Sequence, residues 1–309
     1  MEYRFAKLHG LGNDFIFIED WDRSIELSSD EVARLCDRHT GIGADGIILV
    51  RPSERPECAA YMHYINSDGT LAQMCGNGVR CFAKYLVDRR LVDVSSGSLV
   101  ADTLAGPKPI AFTLDDEGRM AAATVDMGTP TFDPALIPVC TDVCDTTTDD
   151  GVSCAIAAIA SPWGAFSFAC VSMGNPHAVC FLESFYGLPD EVFSDPRDKS
   201  LDTLDVAKVG AFFESHSAFP EKANIEFVEV APDKLRMRVF ERGCGETLAC
   251  GTGACAVAAA AALTGRAPRE TDVALRGGTL HIAWTDDGHV MMTGPARQSF
   301  TGTFALPLA

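Results

Sequence analysis

Glu241-Arg242-Gly243-Cys244-Gly245-Glu246-Thr247-Leu248-Ala249-Cys250-Gly251-Thr252-Gly253-Ala254 is the stretch on which the reading of this chain turns. It runs into Cys255-Ala256-Val257-Ala258-Ala259-Ala260-Ala261-Ala262-Leu263, a run of strong helix formers. Glycines at the point where a loop feeds a helix predict outward-facing backbone N–H groups at Gly251 and Thr252. That is an anion site with a cysteine directly before it.

The first half of the chain holds a second copy. Asn66-Ser67-Asp68-Gly69 precedes Met74-Cys75-Gly76-Asn77-Gly78-Val79-Arg80-Cys81, and Cys75, like Cys250, stands before Gly-x-Gly and a helical run. A polar residue, Asn66 or Glu241, lies nine positions before each cysteine. Gly12-Asn13-Asp14-Phe15 and Gly174-Asn175-Pro176-His177 form another matched pair, each followed by a strand-like run. One unit has been used twice, and the two thiols are expected to face each other.

The 309 residues suit two domains, each able to bury its own core. A net charge of −18 argues against nucleic acid or an anionic membrane as partner, so an anionic ligand needs local donors. The N-terminal segment has no signal-peptide pattern, and the 12 cysteines are expected as reduced thiols of a cytoplasmic protein. Metal is the rival use for them. Cys75/Cys81 and Cys244/Cys250/Cys255 lack the close pairing of zinc or iron–sulfur sites, so no metal ligands are assigned.

Periodicity predicts an α+β protein. In the first half, strands are expected at 3–8, 15–19, 47–50 and 61–65, with a Ser29-capped helix over 30–39. The helix after Cys75 should run to about Arg89, followed by strands at 91–94, 98–103, 110–114 and 120–125. Composition shifts near residue 125, and Thr141–Asp150 is expected as a solvated acidic loop. In the second half, strands are expected at 152–160, 165–171, 178–182, 225–230, 235–241, 273–275, 278–284 and 290–293. A helix is expected over about 201–216, and 299–305 should be a strand of either domain. The expected lobes are 1–124, carrying Cys75, and 125–294, carrying Cys250.

Two opposed thiols at helix starts suit removal of a proton from one face of a carbon and delivery of another to the opposite face. A thiolate serves as the base when its pKa is tuned toward working pH. Helix dipoles would hold a substrate carboxylate beside the reacting carbon, and two nearby thiolates would titrate as a pair.

These motifs, together with Gly10-Leu11-Gly12-Asn13-Asp14-Phe15, Met173-Gly174-Asn175-Pro176-His177 and Phe219-Pro220…Asn224, resemble the diaminopimelate epimerase family over nearly the whole chain. The resemblance implies two pseudo-symmetric lobes, each a curled, mostly antiparallel sheet around a central helix, with 295–309 returning to the first lobe. It also implies a cofactor-independent isomerase that interconverts LL- and meso-2,6-diaminopimelate in lysine and peptidoglycan-precursor biosynthesis. By that resemblance Cys75 and Cys250 are the acid/base pair, Cys75 donating and Cys250 accepting from LL to meso. Gly76, Asn77, Gly251 and Thr252 hold the α-carboxylate through backbone N–H groups. Asn13, Asn66, Asn175, Asn224, Glu241 and Arg242 hold the rest of the substrate, and His177 and Glu241 tune the thiols. Gly46 stands where some members carry a substrate-contacting Gln, so any contact there would come from backbone. A homodimer is implied as well, although Phe300 replaces a tyrosine linked to dimerisation in some members.

Three other classes fit less well. A proline or hydroxyproline racemase needs a pocket closed around one carboxylate, whereas Asn66, Asn224 and Arg242 suggest a second polar end. A nucleotide-binding module would carry Gly-Lys-Ser/Thr. A catalytically dead relative would be expected to lose a thiol.

Overall fold

The computed structural model describes residues 2–140, 142, 144–149 and 152–305. The chain divides into two compact units, 1–126 with 293–309 and 127–292. Each is a mixed α/β body whose strands curl around one helix.

The first unit contains β1 (Glu2–Gly10), β2 (Asn13–Glu19), α1 (Ser29–Cys36), β3 (Gly46–Arg51) and β4 (Ala60–Asn66). After these come α2 (Gly76–Asp88), β5 (Ser98–Asp102), β6 (Lys108–Leu114) and β7 (Met120–Asp126). Antiparallel pairs β1–β2, β3–β4, β5–β6 and β6–β7 are joined by parallel pairs β2–β3 and β4–β5. Helix α2 touches β1 and β2 as well as β5, β6 and β7, so the sheet wraps it.

Strand β2 shows why this works. Phe15, Ile16, Phe17 and Ile18 are all buried, because a strand inside the sheet is covered on both faces. Phe17 stacks on Tyr85 of α2 with ring centroids 5.2 Å apart, while Ile16 and Ile18 join the cluster that holds Val32 and Leu35 of α1.

The second unit contains β8 (Cys144–Asp149), β9 (Val152–Ser161), β10 (Gly164–Ser172), β11 (Pro176–Phe181) and α3 (Val206–Glu214). It continues with β12 (Asn224–Val230), β13 (Leu235–Glu241), β14 (Gly245–Thr247), α4 (Gly251–Leu263), β15 (Glu270–Leu275), β16 (Gly278–Trp284) and the first residues of β17 (Val290–Gly294), whose end belongs to the first unit. The parallel pairs β11–β12 and β13–β15 stand where β2–β3 and β4–β5 stand in the first unit. Helix α4 is buried almost all round, and its alanines let strands β9 to β13, β15 and β16 come close to it. Phe166, Phe168, Phe213 and Phe227 fill the core between the sheet and α3. The last strand, β18 (Arg297–Ala305), pairs antiparallel with β1.

Several expected elements need correction. Helix α1 is capped by Ser28, not Ser29, because Ser28 and Glu31 form a reciprocal capping box, and the helix stops at Cys36. Residues 91–94 are not a strand; the Asp93 side chain accepts the Ser95 N–H and starts a single 3-10 turn over Val94–Ser96. Helix α3 covers only Val206–Glu214, starting where Asp205 accepts the Lys208 N–H. Within the expected acidic loop, Cys144–Asp149 is a strand paired with β9. Three successive threonines favour extended backbone over a solvated loop. Thr141, Val143 and Asp150 of that stretch lie outside the described residues.

Candidate active site

Each unit builds a cysteine-capped helix start on one plan. Cys75 caps α2 from extended backbone (φ −141°, ψ 122°), and its sulfur accepts the Gly78 N–H at 3.4 Å. Cys250 caps α4 in the same way (φ −121°, ψ 114°), accepting from Gly253 N–H at 3.4 Å. Each sulfur therefore sits where an N-cap oxygen normally does, at the positive end of a thirteen-residue helix. The next two residues, Gly76 and Asn77 or Gly251 and Thr252, begin the helix, where backbone N–H groups face an incoming anion. Before each adjoining strand a glycine at positive φ turns the chain, Gly12 at 94° and Gly174 at 90°, and so delivers Asn13 and Asn175.

In the first unit the structure brings Asn13, Cys75 and Asn77 together. Cys75 Sγ lies 3.4 Å from Asn13 Oδ1, which also accepts from Asn77 Nδ2 at 3.3 Å. Asn13 Nδ2 donates to Asp45 Oδ2 at 2.7 Å. Asn77 Oδ1 accepts from Arg80 at 2.7 Å, and Arg80 is fully buried. Asn66 stands slightly apart, its side-chain N–H donating to Thr70 Oγ1 at 3.0 Å. Its turn is tied to the same loop by the Ser67 N–H, which donates to the Asp45 carbonyl at 3.1 Å. Gly46 has no room for a side chain, since a Cβ there would come within 2.5 Å of the Ile65 carbonyl oxygen.

In the second unit His177, Glu241, Cys250 and Thr252 gather around the start of α4. Cys250 Sγ lies 3.5 Å from Thr252 Oγ1, and the Glu241 carboxyl, which accepts from Thr247, acts on that thiol through its charge. Burial pushes the Cys250 thiol well above its ordinary value, and the carboxylates of Glu241 and Glu226 push it further. The Thr252 hydroxyl and Gly253 N–H work against that rise. Burial also raises the Glu241 carboxyl, opposed by its bond to Thr247. His177 is buried, with Nδ1 2.6 Å from Glu226 Oε1 and Nε2 3.1 Å from Asn175 Oδ1.

Asn224 and Arg242 are joined through backbone. Asn224 Oδ1 accepts the Arg242 N–H at 2.9 Å, and its Nδ2 donates to the Pro176 carbonyl at 2.9 Å. The exposed Arg242 guanidinium donates to the Glu221 carbonyl at 3.1 Å. Glu214 braces the following turn by accepting the Gly243 N–H at 3.1 Å.

Four residues around these helix starts and turns escaped the sequence reading: Asp45, Arg80, Glu214 and Glu226. Glu226 had a signal, a charge inside the apolar run Ile225–Val228 and on the same strand face as Asn224. Among the described residues, no cluster of three or more His, Cys, Asp or Glu is arranged to hold a metal ion. Nor is any described helix long and apolar enough to cross a membrane.

Known proteins match this plan closely. The family model for diaminopimelate epimerase matches residues 5–132 and 169–298. A diaminopimelate epimerase of Desulfovibrio desulfuricans is 42% identical over 307 residues, covering 97% of this chain and 98% of the relative. That of Synechococcus elongatus is 41% identical over 309 residues, covering 99% of each. Among solved structures, a hydroxyproline epimerase from Agrobacterium vitis superposes with a TM-score of 0.63 at 15% identity, covering 99% of this chain and 91% of that one. A PhzF-family phenazine biosynthesis protein from Bacillus anthracis gives 0.60 at 17%, covering 99% and 100%. The structural likenesses establish the fold, and the sequence matches decide among its members: the chain belongs to the diaminopimelate epimerase family.

Proposed function

We propose that this protein interconverts LL- and meso-2,6-diaminopimelate by moving the α-proton between two thiols, in the route to lysine and peptidoglycan precursors. The observation that carries this reading is the twice-built cysteine cap. Two sulfurs of matching backbone geometry stand at helix starts, in a chain whose relatives are diaminopimelate epimerases. A single acid–base group would not require the second copy.

In the LL-to-meso direction the Cys250 thiolate takes the α-proton, leaving a carbanion, and the Cys75 thiol delivers its proton to the opposite face. Cys250 ends as thiol and Cys75 as thiolate, so charge and protons balance. Cys250 must first be deprotonated, although burial favours its thiol. The Glu241 charge acts on that thiol, and burial raises its own carboxyl toward proton uptake, which suits it to take the proton. The N–H groups of Gly76, Asn77, Gly251 and Thr252 bind the α-carboxylate, and the helix dipoles stabilise charge as it develops. Asn13, Asn66, Asn175, Asn224, Glu241 and Arg242 bind the remainder of the zwitterion. His177 acts on the second thiol through the buried Glu226 pair. On this reading no cofactor takes part.

We assign the enzyme to the cytoplasm, as a homodimer by its family likeness alone, and light scattering checks the mass. The activity is tested by incubating the purified protein with LL-diaminopimelate, without pyridoxal phosphate and with EDTA, and resolving the stereoisomers. The meso isomer should accumulate. Absence of meso product, or turnover lost on chelation and restored by metal, would contradict the proposal.

A further inference from the structure

The polar chain beneath Cys75 has a direction. Arg80 can only donate hydrogen bonds, so the Asn77 group facing it at 2.7 Å must be the carbonyl oxygen. Asn77 therefore turns its NH2 group toward Asn13, which must answer with its own oxygen. The other end gives the same result independently. Asp45 Oδ2 accepts, so Asn13 must present its NH2 group there, at 2.7 Å, and its oxygen again faces Cys75. Fixed from both ends, Asn13 offers the Cys75 sulfur an acceptor at 3.4 Å, a contact that only S–H can satisfy.

We infer that Asp45 is a positioning residue for the acid: through Asn13 it holds a carbonyl oxygen, and not an N–H, against Cys75 and so keeps that thiol protonated. Arg80 anchors the same chain from the far end. The role rests on the reading in which Cys75 delivers the proton toward the meso isomer, but the orientation itself does not. Helix α4 lacks this arrangement. Thr252 and Cys255 stand at the positions of Asn77 and Arg80, and a hydroxyl can either donate or accept. The fixed charges around the network are Lys7 on β1, Asp14 on β2, Arg38 after α1 and Arg80 on α2. Asp14 pairs with Lys7 at 2.7 Å and with Arg38 at 2.8 Å.

Two substitutions separate orientation from charge. Asp45→Ala removes both the negative charge and the acceptor. Asp45→Asn removes the charge but keeps an oxygen that can take the Asn13 N–H. In the Asn variant Arg38 gives up its 2.6 Å bond to Asp45 Oδ1, where the new NH2 group would stand, but keeps Asp14 through two bonds. The readout is alkylation of substrate-free protein by iodoacetamide at one fixed pH, with Cys75 and Cys250 peptides quantified separately. A thiolate reacts and a thiol does not, so labelling reports the share of each form. In Asp45→Ala, Asn13 is free to turn its N–H toward sulfur, and the Cys75-to-Cys250 labelling ratio should rise roughly three- to tenfold. Asp45→Asn should keep the native ratio. The absolute rate at Cys250 should stay constant in both, which reports an intact fold, and Asp45→Ser serves the same test should the Ala variant not fold. Turnover from LL to meso should fall about tenfold in Asp45→Ala, and Asp45→Asn should restore most of it. An unchanged ratio in Asp45→Ala, or an equal rise in Asp45→Asn, would overturn the inference. Because no substrate is present, the labelling result is independent of whether the proposed activity is correct.

Discussion

Cys75 and Cys250 cap helices of equal length from the same extended backbone, and each accepts an N–H at 3.4 Å, yet the two sulfurs meet different chemistry. The first is half-buried and faces an amide oxygen oriented by ionic partners at a distance. The second is buried and feels the charge of two carboxyls, Glu241 and the histidine-held Glu226. The shared loop-to-helix turn gives both units a thiol beside a helix end suited to an anion. On the proposed mechanism their unlike surroundings divide the work: one sulfur would be kept as a donor while the other stands near a carboxyl that could take its proton.

The largest effect should come from the sulfurs themselves. If the two thiols are complementary, Cys75→Ala and Cys250→Ala should each lower epimerisation by at least about 10²–10⁴-fold in both directions, measured by chiral separation of the product. Substantial turnover by either variant would end the pairing.

The glycines three residues after each cysteine sharpen the contrast. A Cβ on Gly253 would sit 2.9 Å from Glu226 Oε1 and 3.3 Å from Cys250 Sγ, both in buried side chains. Gly253→Ala should displace Glu226 from His177, lowering turnover about tenfold and stability by roughly 1–3 kcal/mol. Denaturant melts and kinetics on that variant provide the check.

Acidity is the next point of difference. Cys250 is raised first by burial and then by Glu241 and Glu226, so removing Glu241's charge must lower it. In Glu241→Gln the alkylation of Cys250 should therefore begin at lower pH than in the native protein, while turnover falls because the acceptor of the thiol proton is lost. The sign has a stability counterpart. A thiol raised in the folded state favours folding below its unfolded pKa, and that contribution fades as pH climbs above it. Alkaline melts of Glu241→Gln should accordingly lose less stability than native ones.

The smallest effect belongs to the other glycine. At Gly78 a Cβ would meet nothing nearer than 3.5 Å, an ordinary contact, and alanine is the better helix former. Gly78→Ala should be neutral or stabilising by up to about 1 kcal/mol, with activity retained. Equal damage from Gly78→Ala and Gly253→Ala would show that the helix starts differ less than their surroundings suggest.

Much of this was legible in the sequence because its signals are local. Phe15–Ile18 and Ile47–Val50 are apolar runs of strand length, and Gly-x-Gly after a cysteine marks a helix start regardless of tertiary context. The sequence misled where local signals were balanced. Ser28 and Ser29 are equally good caps until Glu31 closes the box on Ser28. The threonines after Cys144 look solvated until β9 is there to pair with them. The long-range partners were invisible for a different reason. Asp45 lies 32 residues from Asn13, and Glu226 lies 49 from His177, so no spacing rule joins them. Arg80 sits on a helix face where an arginine ordinarily reaches solvent; only the folded sheet shows it fully buried.

The proposed division of labour between the two thiols is tested most directly by following hydrogen in heavy water. If Cys250 takes the α-proton and Cys75 delivers another from the opposite face, the delivered atom comes from a thiol already exchanged with solvent. Early meso product formed from LL-diaminopimelate should carry deuterium at the inverted carbon, while the remaining LL substrate carries almost none. Comparable early labelling of both isomers, or product that retains the original proton, would mean that one base serves both faces and would contradict the paired-thiol mechanism.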